Sequence, residues 1–142
     1  AGSTQMKSSL MAMVGATLLV ASSLGTCGDE SSVTWLTDLG VARTVAAERK
    51  LPILADFSGS DWCGWCIKLD REVFSQAEFK EYAKANLVLF LADFPRGRKL
   101  APAVAKQNDA LLRKYGVEGF PTVLLLDASG RVSRLEFPRA RA

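Results

Sequence analysis

Apolar and polar positions divide this chain into alternating helical and extended stretches. Over residues 34–50, Trp35, Leu36, Leu39, Ala42, Val45 and Ala46 recur at helical spacing with charges between them, which predicts a helix. Pro52 bars its continuation. Residues 51–57 are a short apolar run, the pattern of a strand buried on both faces. Ser58 to Asp61 form a polar turn, and residues 66–74 read as a second helix. Ser75-Gln-Ala-Glu78 has the form of a capping box, restarting helix as far as Asn86. Residues 87–92 are a second buried strand and 94–100 a basic loop. Residues 101–115 are a third long helix, closed by Gly116. Residues 122–127 are a third strand, and 131–137 a fourth after the Asp127-Ala-Ser-Gly130 turn.

This order predicts an α/β fold. A parallel β-α-β unit followed by a hairpin is the economical packing, with helices on both sheet faces. No internal repeat is visible, and 142 residues suit one domain.

The segment ahead of that domain has a different character. Met6 and Lys7 open it with one positive charge, and residues 10–24 carry none. The run is shorter than the roughly 20 residues of a membrane span. It has no amphipathic face and ends in small residues, which suits an export signal better than a core helix. Leu24-Gly-Thr-Cys27 resembles the lipobox of bacterial lipoproteins, which makes Cys27 a lipidation candidate. Ordinary cleavage near Ser23 or Gly25 is the alternative, leaving Cys27 as a free thiol. The expected divisions are 1–26 (tag scar plus signal peptide), 27–33 (linker), 34–137 (domain) and 138–142 (tail). The expected location is periplasmic or extracytoplasmic, where disulfides persist. Any membrane association would run through a lipid on Cys27.

Composition narrows the chemistry. The net charge is +3, with Lys and Arg scattered among Asp and Glu and no basic stripe interleaved with aromatics, so no nucleic-acid partner is expected. The absence of histidine removes Cys-His and Ser-His catalytic pairs and His-based metal sites. Ile67 stands where c-type haem attachment requires histidine. Three cysteines do not complete a zinc site, which takes about four ligands. Neither a metal nor an organic cofactor is expected.

The chemistry gathers at Trp62-Cys63-Gly64-Trp65-Cys66. The motif follows a predicted strand and opens a predicted helix, the context of a thiol–disulfide exchange pair. At a helix start, unpaired backbone N–H groups and the helix dipole stabilise a Cys63 thiolate, the nucleophile of exchange. Cys66, one turn on, reaches the same sulfur. A structural staple is the weaker reading, because so small a loop constrains little unfolded-state entropy. Trp62, Gly64 and Trp65 are candidate substrate contacts, with helix packing as the alternative for the two indoles. Asp61 is a candidate helix cap whose charge opposes a lowered thiolate pKa. Arg96, Gly97, Arg98 and Lys99 read as a solvated loop.

Leu54-Ala-Asp-Phe57, the Cys motif and Gly119-Phe-Pro-Thr122, in this order, resemble the thioredoxin superfamily over residues 34–137. The stretch from Gly59 through Cys66, with Lys68, Leu69 and Glu72-Val-Phe74, looks most like exported bacterial proteins of the thioredoxin-7 type. It is also similar to the C-terminal domain of the transmembrane disulfide reductase. The resemblance implies a three-layer α/β/α sandwich around a mixed sheet of about four strands. The chain stops short of the family's last helix, so the domain is expected to lack it.

By the same resemblance Cys63 attacks and Cys66 resolves. Pro121 matches the family's cis proline, which leaves the Phe120 backbone free to pair with a substrate strand. Asp56 matches the carboxylate that passes a proton to the resolving cysteine, although it lies seven residues before Cys63, one more than usual. Trp65 replaces the usual proline. The implied activity is reduction of disulfides in exported proteins, with a membrane-linked thiol donor recharging a monomeric enzyme. A disulfide oxidase or isomerase, or a peptide-binding or chaperone module on the same fold, are the alternatives.

Overall fold

Alternation along two central strands sets the architecture. The computed structural model describes residues 32–133. In β2 (Ile53–Ser58), Ile53, Ala55 and Phe57 point into one core, and Leu54 points into the other. In β3 (Val88–Asp93), Val88, Phe90 and Ala92 join the first core and Leu89 the second. Both strands are therefore covered on both faces, as a doubly packed sheet requires, with Asp56, Ser58 and Asp93 buried among the apolar positions.

The order of elements is β1 (Trp35–Leu36), α1 (Leu39–Arg49), β2, α2 (Gly64–Leu69), a π-helical segment (Asp70–Phe74), α3 (Ala77–Asn86), β3, α4 (Pro102–Lys114) and β4 (Thr122–Leu126). The sheet runs β1-β3-β2-β4. β3 lies parallel to both β1 and β2, with Asp56 opposite Leu91, whereas β4 is antiparallel to β2, with Asp56 opposite Val123. The first core takes Leu39, Ala42 and Ala46 from α1 and Leu111 from α4. The second takes Ala83 and Phe79 from α3, together with Trp35. This is the α/β thioredoxin-like fold with a four-stranded mixed sheet.

Three local expectations are corrected. The helix expected over 34–50 starts only at Leu39, because the Asp38 carboxylate accepts Val41 N–H at 3.0 Å and fixes the N-terminus there. Trp35 and Leu36 pair with β3 as an edge strand and send their side chains to opposite cores. The capping box at Ser75 does not form. Gln76 is the N-cap, and Ser75 Oγ instead donates to Asp70 at 3.2 Å. The helix expected over 66–74 changes to π geometry at Asp70, closed by Ser75 N–H to Asp70 C=O at 2.8 Å.

The strand expected over 131–137 reaches outside the described residues. Within them, Val132 bridges Leu126 antiparallel and Ser133 N–H donates to Leu125 C=O at 2.7 Å. The four observed strands thus include β1, which the periodicity assigned to a helix. Cys27 and the segments expected to be a signal peptide and a tail also lie outside the described residues.

Candidate active site

Cys63 is itself the N-cap of α2, its backbone extended and its sulfur accepting Cys66 N–H at 3.2 Å. The motif's two cysteines are joined as a disulfide and both are buried. The turn ahead of them is tight. Cys63 N–H donates to Gly59 C=O at 2.8 Å, and Gly59 lies under the Trp62 indole, where an added Cβ would come within 2.5 Å of the ring. Gly64 faces open space. Trp65 is 70% exposed and Trp62 37%, so the two indoles that flank Cys63 in the sequence both reach the surface.

Pro121 follows Phe120 through a cis peptide bond. The Phe120 ring meets the Trp62 indole edge-on at 6.0 Å and packs on Phe94 at 5.0 Å. Trp62 Nε1 donates to Phe94 C=O at 2.8 Å. The cysteine turn, the cis-proline turn and the start of the 94–100 loop therefore form one aromatic cluster.

Asp56 projects from β2 to the α2 side of the sheet. It is 6% exposed, and its Oδ1 has no hydrogen-bond partner. With Cys66, Ile67, Asp70, Phe74 and Ser58 it lines a cavity of about 240 Å³. Burial, reinforced by the charges of Asp70 and Asp93, pushes its carboxyl up from 3.8 to about 7. It is therefore divided between acid and base near neutrality, and it shares its cavity with Cys66.

Asp70 and Asp93 escaped the sequence reading. Asp70 lies four residues after Cys66, a helical neighbour whose spacing was a usable signal. Asp93, buried at the end of β3, accepts Ser60 N–H at 3.0 Å, Ser60 Oγ–H at 2.6 Å, Phe94 N–H at 3.0 Å and the Arg98 guanidinium. It ties the turn before Cys63 to the sheet, a long-range link that no local pattern announces.

Asp61 is not a helix cap. Its carboxylate accepts Arg96 N–H at 3.0 Å and Gly97 N–H at 2.6 Å, and these bonds hold its pKa below the usual carboxylate value. The loop read as merely solvated is exposed but pinned to the site. Among the described residues no group of three or more Cys, Asp or Glu side chains could hold a metal ion.

A buried Cys-x-x-Cys disulfide at a helix start, with a cis-proline turn joined to it through Trp62 and Phe120 and a buried carboxylate on the Cys66 cavity, is a site with the parts of thiol–disulfide exchange on a thioredoxin-like fold. The chain belongs to the thioredoxin-like domain family, whose model matches residues 39–136. It is 37% identical over 87 residues to the disulfide bond reductase DsbH of Chlamydia pneumoniae, covering 61% of this chain and 52% of that protein. It is 33% identical over 121 residues to the thioredoxin-related protein DsbJ of the same organism, covering 82% of this chain and 35% of that one. It thus spans about half of the first relative and about a third of the second. Among solved structures it is similar to the DsbH oxidoreductase, with a TM-score of 0.68, 29% identity, and coverage of 82% of this chain and 83% of that one.

Proposed function

We propose that the protein reduces disulfides of exported proteins through the Cys63/Cys66 dithiol. The carrying observation is the Cys63–Cys66 pair at the head of α2, with Cys66 and Asp56 lining one cavity. The likeness to a protein named disulfide bond reductase supports the reductive direction. The uncharged run at residues 10–24 supports export, with a periplasmic or extracytoplasmic location and Cys27 as the lipidation candidate.

In the dithiol form, the Cys63 thiolate attacks one sulfur of the substrate disulfide. A Cys63–substrate disulfide forms and the other substrate sulfur leaves as a thiolate. Asp56, as carboxylate, takes the proton from the Cys66 thiol. The Cys66 thiolate then attacks Cys63 Sγ, the second substrate sulfur leaves, and the Cys63–Cys66 disulfide closes. Two electrons pass to the substrate. An external dithiol, held by a membrane-linked donor, returns them by the same exchange. Trp62, Trp65, Gly64 and the Phe120 backbone form the contact surface, with Pro121 shaping it.

The test is a Cys66→Ala variant. It should accumulate a mixed disulfide on Cys63, visible on a non-reducing gel and cleared by dithiothreitol. A correctly folded variant that traps no disulfide substrate would remove the reading and leave a peptide-binding module in its place.

A further inference from the structure

On Trp62, the residue before Cys63, stands a cation that the exchange chemistry does not use. The Arg96 guanidinium lies over the Trp62 ring, 3.7 Å from its centroid. The placement is built by the backbone. Asp61 accepts Arg96 N–H and Gly97 N–H, Trp62 Nε1 donates to Phe94 C=O, and Phe94 packs on Phe120. Gly97 is suited to the turn, since a Cβ there would come within 3.0 Å of Asp61 Oδ2.

The nearby acids are otherwise engaged. Asp61 is held by those backbone N–H groups, and Asp93 holds Arg98. Among the described residues no carboxylate forms an ion pair with Arg96. A guanidinium resting on a ring keeps the N–H donors of its rim available for a carboxylate. Lys68, 5.3 Å from the Trp65 ring centroid, gives the second indole a cation as well.

We propose that Arg96 makes this site selective for polypeptide disulfides bearing a carboxylate side chain beside the reacting cysteine. The inference rests on the exchange reading above. Trp62 precedes Cys63 in the chain and packs on Phe120, ahead of the cis proline. A substrate segment laid between these turns brings the neighbours of its cysteine to the Trp62 face. There an Asp or Glu meets Arg96 and a Lys is repelled.

The experiment uses the full chain in its dithiol form and three peptide disulfides. These differ only in carrying Asp, Asn or Lys beside the cysteine. Each rate is divided by that with dithiothreitol, which removes the intrinsic reactivity of the peptide. The Asp peptide should be reduced about fivefold faster than the Lys peptide, the size of one exposed ion pair. The ratio should shrink in about 1 M salt. Arg96→Gln should bring it to about one and Arg96→Lys should retain most of it. Equal normalised rates with the wild-type protein, or an unchanged ratio in Arg96→Gln, would overturn the selectivity alone. Failure to reduce any of the three peptides would overturn the exchange reading, and the selectivity with it.

Discussion

Replacing Asp56 by Asn should stabilise the folded protein at alkaline pH and leave it nearly unchanged in acid. The Asp56 carboxyl is buried, its Oδ1 has no partner, and its pKa in the fold is pushed up to about 7 by burial and by Asp70 and Asp93. In the unfolded chain an aspartate titrates near about 3.9. Between the two values the folded state holds a proton that the unfolded state has released. Wild-type stability therefore falls as pH rises from about 4 to about 7 and is level above that. A gap of about three pKa units, at about 1.4 kcal/mol each, gives a cost of about 4 kcal/mol at pH 8. Water entering the adjoining cavity screens part of it, so the expected range is about 2–4 kcal/mol.

Asn carries no proton to lose and is nearly isosteric with the neutral acid, so the variant escapes this cost. The assay is urea unfolding of the oxidised protein, followed by tryptophan emission from about pH 4.5 to about pH 8.5. The Cys63–Cys66 disulfide keeps both thiols from titrating. The difference between variant and wild type should be small at the acid end, grow through the window and level off above about pH 7. A difference independent of pH, or one that grows toward acid, would refute the assignment of a raised pKa to Asp56.

Two further perturbations test the scaffold. Phe74→Ala empties the contact between Trp35 and Phe79, whose rings lie 5.0 Å on either side, and should cost about 3–5 kcal/mol by urea unfolding. A loss below about 1 kcal/mol would mean that the π-helical segment does not anchor α2 through this ring. Gly59→Ala places a methyl against the Trp62 indole and should cost about 1–3 kcal/mol while shifting tryptophan emission as the ring leaves Phe94 C=O. An unchanged spectrum and midpoint would show that the turn yields instead.

Much of the domain was legible because its strongest signals are local. The run ending at Phe57, the Cys motif after it and the Gly119-Phe-Pro-Thr stretch each carry their geometry in a few residues. What failed was local evidence overruled by tertiary pairing. Trp35 and Leu36 fit the helical period of α1, but two backbone pairings with Leu89 and Phe90 and the Asp38 cap place them in an edge strand. Ser75 had the cap pattern, yet its hydroxyl was claimed by Asp70 once the helix widened. The 94–100 loop read as solvent-facing because its partners, Asp61, Trp62 and Ser58, lie more than 30 residues back in the chain. Polar contacts of that range leave no periodic trace.

The same separation explains how one strand can serve stability and chemistry at once. In β2 the odd-numbered positions Ile53, Ala55 and Phe57 fill the core shared with α1 and α4. The even-numbered positions face α2 and α3, which puts Asp56 on the wall of the cavity that also holds Cys66. A one-residue slip against β3 would exchange these faces, placing the carboxylate among core side chains and Phe57 beside the disulfide. The register is held by the apolar positions, so the hydrophobic core fixes where the titrating group sits. Asp93, bonded to Ser60 and Arg98, then holds the turn before Cys63 against the end of β3. The Asp56 carboxyl is thus located by packing, and the turn before Cys63 by a second buried carboxylate. A substitution that disturbs the Asp93 linkage can therefore change the cysteine turn without displacing Asp56.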